Sequence, residues 1–379
     1  RAKLAPTNGV NGAARAYHRR MRIVHVESGR HLYGGARQVG YLIAGLDRRG
    51  VENVLVCPPQ HALAEDRPRV ERHEVPMHGD FDLGMVQRLR RAFTELEPDV
   101  VHVHSRRGAD LFAGLACRSM GRAALLTRRV DNPEPRAYAR FKYRPYRLVV
   151  AISRAVRDEL CGPGGIDPAR VPTVASAVDT AAFRPDSSAR ERVLRTFGLG
   201  DDAFIIGICA QLIARKGHEL FLRCLPEIVR SRRNVRVLCF GRGPLRTRLQ
   251  RLAAELDLAP HVQFPGFRDD IAALLPGLDL LVHPARREGL GVAVLEAMAA
   301  EVPVVATAVG GIVDAVTDGC EGLLVPWGDA ARLAGAVERM IDDAAARKRM
   351  GAAGRIRAER DFSIARMTER YLQLYRDVC

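Results

Sequence analysis

Tryptophan occurs once in this 379-residue chain, lysine four times, and no two cysteines stand as Cys-x-x-Cys. No apolar run approaches the ~20 residues that cross a bilayer, so a membrane-spanning helix is not expected. The eight cysteines, at 57, 117, 161, 209, 224, 239, 320 and 379, are scattered, and Cys209 and Cys239 sit inside apolar runs. That usage reads as reduced thiols in a cytoplasm; a disulfide framework or structural metal is not expected. Aromatic residues make up only 6% of the chain and no nucleic-acid module is recognisable, which argues against a nucleic-acid partner. Residues 1–20 contain Asn8-Gly9 and Asn11-Gly12 without an apolar core, so a disordered leader or added tag is expected there rather than a signal peptide.

What is present is a globular composition, 47% hydrophobic and 27% charged, with length enough for two domains. The net charge of +15 is almost wholly arginine, since only Lys3, Lys142, Lys216 and Lys348 are lysine. A GC-rich coding sequence explains that bias as well as attraction to an anionic glycolipid or membrane face does.

Short apolar runs alternate with amphipathic stretches, the pattern of parallel sheets covered on both faces. Strands are predicted at 22–27, 53–57, 100–104, 123–127 and 148–152, and again at 204–210, 235–240, 261–264, 280–283, 304–307 and 322–325. Helical spacing fills 36–49, 85–96, 108–120, 220–230, 245–256, 292–300 and 330–342, and a last amphipathic helix spans 364–378. Between Ser176 and Ser188 the periodicity lapses, which marks a hinge. The fold class is therefore α/β, with two doubly wound, Rossmann-like domains facing across a cleft where ligands of such sheets bind. We divide the chain into residues 1–20, an N-terminal domain 21–180, a C-terminal domain 181–360, and a helix 361–379 returning to the N-terminal domain.

Five constellations fall at carboxyl edges of predicted strands. The segment from Arg287 to Ala299, Arg-Glu-Gly-Leu-Gly-Val-Ala-Val-Leu-Glu-Ala-Met-Ala, opens a helix after a strand. Gly289 and Gly291 allow close backbone approach, and the helix's free N–H groups suit a diphosphate. Glu288 and Glu296 beside a phosphate site would repel the anion, so sugar and ribose hydroxyls are their natural partners; a capping turn with a solvated Glu reads from the same spacing. Gln211 to His218 places Arg215 and Lys216 after the strand at 204, where they could neutralise a leaving diphosphate or simply form a solvated basic turn. His102 and His104 share one face of a strand, but no acidic or cysteine partner stands nearby in sequence, and a metal site is not expected. Gly34-Gly35 and Gly241-Arg242-Gly243 each open a helix, as an anion site or a tight turn.

Glu288 and Glu296 within Glu-Gly-Leu-Gly…Leu-Glu-Ala-Met-Ala, followed by Val302-Pro-Val-Val-Ala-Thr307, resemble glycosyltransferase family 4, retaining enzymes of the GT-B fold. Val309-Gly-Gly-Ile312, Glu321-Gly-Leu-Leu-Val325 and Gln263-Phe-Pro-Gly-Phe267 extend the resemblance over residues 21–379. It implies a retaining glycosyltransferase moving a hexose-type sugar from a nucleoside diphosphate to an acceptor hydroxyl, without a cofactor or metal. Glu288, Gly289, Leu290 and Gly291 would contact the transferred sugar and phosphates, and Glu296 the ribose. Phe267 would lie in the base-binding region, His104 would reach a donor-sugar hydroxyl, and His102 would be structural. Gly34 and Gly35 would approach the phosphate or the acceptor; Gly241 and Gly243, the nucleotide. Lys216 would hold phosphate. The family carries arginine where Gln211 stands; Gln211 donates hydrogen bonds but no charge, and Arg215 is placed to compensate. The implied partners are a nucleotide sugar, a glycolipid or saccharide acceptor of envelope or lipopolysaccharide synthesis, and an anionic membrane surface. The last would meet a basic, aromatic stretch: Arg128, Arg129, Arg136, Arg140, Lys142, Arg144 and Arg147 among Tyr138, Phe141, Tyr143 and Tyr146. The rival functions are a GT-B epimerase or phosphorylase and a non-catalytic sugar-nucleotide- or membrane-binding subunit.

Overall fold

A computed structural model describes residues 20–29, 34–59, 61, 70–104, 108–130 and 132–379. The expected leader, residues 1–20, lies outside these except for Arg20. The described residues form two six-stranded parallel sheets. The first is ordered β3-β2-β1-β4-β5-β6, from β1 (Arg22–Val26), β2 (Glu52–Cys57), β3 (Glu71–Glu74), β4 (Val100–Val103), β5 (Ala123–Arg128) and β6 (Leu148–Ala151). The second is ordered β12-β11-β10-β7-β8-β9, from β7 (Phe204–Cys209), β8 (Val235–Phe240), β9 (Val262–Gly266), β10 (Leu280–His283), β11 (Val304–Thr307) and β12 (Gly322–Val325). Most of these strands are uninterrupted apolar runs because helices cover both faces. Strand order reverses between β1 and β4 and between β7 and β10, and crevices open at those two switch points.

Several elements lie outside the sequence expectation. Strand β3 reads Glu-Arg-His-Glu, a polar edge strand held by β2 alone. The helices Arg136–Tyr143, Arg154–Cys161, Ala189–Phe197 and Ala344–Asp361 and the single turns Ile271–Leu274 and Ile312–Ala315 are also additions. The expected strand 261–264 runs on to Gly266.

The lobes are joined at two adjacent crossings. At the first, Gln38 of the helix Gly34–Asp47 bonds both the N–H and the carbonyl of Ala177, each at 2.7 Å. At the second, the chain returns through Phe362, whose carbonyl accepts from Val178 N–H at 2.8 Å. The helix Ile364–Val378 then packs on the first lobe, burying Met367, Tyr371 and Tyr375 against Ile23, Leu42 and Val100. Lobe faces also meet directly: Arg154 N–H donates to Asp314 at 2.6 Å, and a Cβ on Gly289 would stand 2.7 Å from the Arg129 carbonyl.

Candidate active site

The loops after β7 and β10 are stitched together because those strands are neighbours. Arg286 N–H donates to the Arg215 carbonyl at 2.8 Å, and an Arg215 Nη1–H donates to the Arg287 carbonyl at 3.3 Å. Between them the Lys216 ammonium bonds Glu288 Oε2, which also accepts from His283 Nε2 at 2.9 Å. Burial alone would push the Glu288 carboxyl up. The His283 hydrogen bond and the Lys216 charge overcome it and hold the group far below the ordinary carboxylate range. Burial keeps His283 neutral despite its acidic partner, so its Nε2 carries the proton donated to Glu288. The backbone of Glu288 is gripped from the other side: Gly311 N–H donates to its carbonyl at 3.0 Å, and at Gly310, with φ of +52°, a Cβ would collide with that carbonyl.

These groups border a cavity of about 470 Å³ at the mouth between the lobes. Gly291, with φ of +86°, caps the helix Val292–Ala299 without a side-chain partner, and Leu290 to Ala293 line the cavity. The helix's first N–H groups and positive end therefore border that space. Of the residues singled out in the sequence, Gly34, Gly35, Gln211, Arg215, Lys216, Gly241, Phe267, Glu288, Leu290, Gly291 and Glu296 line it. Glu296 is 9% exposed, and burial raises its carboxyl to about 7, with Arg37 at 3.9 Å pulling the other way.

Four others do not line it. Gly243 lies where a Cβ would strike the Leu212 backbone, so it serves loop packing; Gly289 backs onto Arg129. His104 is buried beneath the first lobe's edge, bonded to His25. His102 is fully buried between Tyr375 and Thr127. Residues 30–33 of the first glycine loop, and Ser105, lie outside the described residues.

Arg37, Arg129, Arg242 and His283 also line the cavity and were not singled out as site residues. Arg129 is the notable omission: its Nε and Nη2 are buried with no hydrogen-bond partner among the described residues. It follows β5 directly, and the rule that parallel strands present function at their carboxyl ends could have found both it and His283. The expected basic surface is smaller than its sequence. Lys142 and Arg128, 2% and 4% exposed, turn inward to Asp110 and Glu134, and Tyr143 and Tyr146 are buried. Only Arg136, Arg140, Arg144, Arg147, Tyr138 and Phe141 face outward.

Residues 190–357 match the family Glycosyl transferases group 1, and residues 33–182 match Glycosyltransferase Family 4. The chain belongs to glycosyltransferase family 4. A similar relative of this family-4 chain is the GDP-mannose-dependent alpha-(1-6)-phosphatidylinositol monomannoside mannosyltransferase of Mycolicibacterium smegmatis. It is 35% identical over 219 residues, covering 55% of this chain and 56% of the relative. The chain thus spans about half the length of the curated relatives it matches. Among solved structures, a glycosyltransferase from Rickettsia africae superposes with a TM-score of 0.85 at 20% identity, over 95% of this chain and 99% of that one. Anabaena HepE in complex with UDP-glucose does so with a TM-score of 0.83 at 19% identity, over 94% and 100%. The fold is GT-B.

Proposed function

We propose that this family-4 chain moves a sugar from a nucleoside diphosphate to an acceptor hydroxyl with retention of configuration. The observation that supports this best is the convergence of Lys216, Glu288 and the open end of the helix Val292–Ala299 on one cavity at facing switch points. The hard step separates an oxocarbenium-like sugar from a dianionic leaving group. Lys216, Arg215 and the helix N–H groups stabilise that charge without recourse to a metal. Incoming phosphate competes with Glu288 for Lys216, which frees the Glu288 carboxylate to accept from sugar hydroxyls. Glu296 accepts from the ribose, and the base lies toward Phe267, over which the Arg242 guanidinium sits at 5.1 Å. Front-face attack, with the departing phosphate taking the acceptor's proton, follows the family resemblance.

The donor is a UDP-, GDP- or ADP-sugar: the mycobacterial relative is GDP-mannose-dependent and HepE binds UDP-glucose. The acceptor is a glycolipid or saccharide of envelope synthesis, as the relative's phosphatidylinositol monomannoside suggests. The protein works in the cytoplasm, against an anionic membrane met by the outward arginines with Phe141 and Tyr138, 57% and 43% exposed. No described helix is long and apolar enough to cross a membrane.

Thermal stabilisation by UDP-, GDP- and ADP-sugars identifies the donor. Turnover of that donor, lost in Glu288→Ala with the fold intact, is the expected result; a chain that binds donor and never turns it over sinks the reading. Gln211, uncharged where the family has arginine, favours the second reading, a non-catalytic sugar-nucleotide-binding subunit.

A further inference from the structure

Under the cleft edge of the first lobe, a chain of side chains runs from Asp47 to His104. Asn53 Nδ2 donates to Asp47 Oδ1 at 2.6 Å and to the Val51 carbonyl at 2.9 Å. With its amide donors committed, Asn53 can offer His25 only its oxygen, so His25 Nε2, 3.0 Å from Oδ1, must carry a proton. Burial holds His25 neutral, lowering it to about 4, and its Nδ1 is therefore a bare lone pair. His104 Nε2 lies 3.0 Å from that lone pair and must donate to it. His104 is also kept neutral, by burial first and then by the charges of its neighbours, Arg129 among them. Its remaining nitrogen, Nδ1, is then an acceptor, and it is buried with no partner among the described residues. Beside it stands Arg129, which lines the cavity and has unmatched guanidinium donors.

We infer that Asn53 and His25 are positioning residues that fix the His104 tautomer, so that, once donor binding uncovers the buried Nδ1, His104 and cavity-lining Arg129 together take a hydroxyl group of the sugar. A hydroxyl donates to one and accepts from the other; a phosphate oxygen has no proton to give the imidazole. The inference rests on the reading that His104 serves the donor sugar, and it adds the residues that set its polarity. The same three imidazoles, His25, His102 and His104, have nitrogens within 4.8 Å of one another, so a bound ion is the competing arrangement. His102 has both nitrogens engaged, by Tyr375 at 2.6 Å and Thr127 at 2.7 Å.

The test is nitrogen NMR of the full chain with labelled histidine, signals being assigned by substitution. Wild type is expected to show His25 and His104 protonated on Nε2 and bare on Nδ1, and Asn53→Leu to move part of the His104 proton to Nδ1. Should that variant fail to fold, Asn53→Ser, whose hydroxyl serves either role, replaces it. A His104 protonated on Nδ1 in wild type, a tautomer indifferent to both substitutions, or one equivalent of tightly bound metal overturns the inference. In assays with UDP-glucose and GDP-mannose, the substitution should lower kcat/KM about tenfold and leave UDP or GDP affinity unchanged. An equal loss of diphosphate affinity in Arg129→Gln assigns Arg129 to phosphate and overturns the hydroxyl subsite. A chain that binds neither nucleotide ends the transferase reading instead, while the NMR result still decides the tautomer.

Discussion

Arg37, in the first helix of the N-terminal lobe, stands 3.9 Å from Glu296, buried in the first helix after the donor loop of the other lobe. One residue of each lobe therefore shares a charge contact across the interlobe cavity, and the acidic partner is poised near neutrality. Its folded value, about 7, lies above its ordinary 4.5, so the uncharged form is favoured by folding. Stability from this group is fully present below about pH 4.5, declines as pH rises toward 7, and is flat above. Glu296→Gln should match wild type at pH 4.5 and exceed it by about 1–3 kcal/mol at pH 8 in denaturant unfolding. Equal stability at both pH values would show that Glu296 ionises normally.

The Lys216 contact to Glu288 sets a second expectation. Lys216→Ala removes the ammonium that meets Glu288 at the cavity and, on the proposed function, should lower turnover by at least ~100-fold. Circular dichroism and melting temperature monitor the fold; a rate within threefold of wild type removes Lys216 from the chemistry.

Gly310 bears on the same carboxylate through the backbone. Its left-handed φ and its closeness to the Glu288 carbonyl leave no room for a methyl group. Gly310→Ala should cost roughly 2–4 kcal/mol and weaken nucleotide binding by displacing the donor loop. Unchanged calorimetric affinity would show that the loop is not held from behind.

Gln211 gives a test of charge. Adding a guanidinium with Gln211→Arg should raise the transfer rate, by less than ~10-fold because Arg215 and Lys216 already border the cavity. Steady-state kinetics against the same donor measures it, and a slower variant would argue that the amide itself is required.

Tyr375 tests the returning helix. Its hydroxyl is 2.6 Å from buried His102 Nδ1, so Tyr375→Phe leaves an unmatched imidazole and should cost about 1–3 kcal/mol. The same loss in Thr127→Val would follow, since Thr127 meets the other nitrogen.

The sheets and the donor loop were legible because buried parallel strands are uniform apolar runs and the glycines at 289 and 291 stand at a strand–helix junction. The helix Ala344–Asp361 was not, because the face it buries is Ala346, Gly351, Gly354 and Ala358 with Met350. Small residues let it approach the helix Val292–Ala299, where a Cβ on Gly354 would meet Met298 at 3.3 Å, and they give no hydrophobic rhythm. Strand β3 escaped for the opposite reason, being polar at an edge. In the site, Lys216 and Glu288 stand out through the resemblance to family 4, since their spacing alone also reads as a solvated basic turn and a capping turn. Arg129 does not, since its sequence neighbours Arg128 and Lys142 belong to a buried ion network and only tertiary packing separates it from them. His25 and Asn53 become neighbours of His104 only through the pairing of β1 with β2 and β4.

Because the polypeptide passes between lobes at Ala177–Val178 and again at Phe362, and these passages are hydrogen-bonded to each other, the C-terminal lobe is tethered at both its ends along a single line. Such a tether resists sliding and twisting more than rotation about an axis through Val178. Opening along that axis would draw the loop at Gly289 off the shoulder of Arg129, so widening of the cavity and loss of that contact become the same motion.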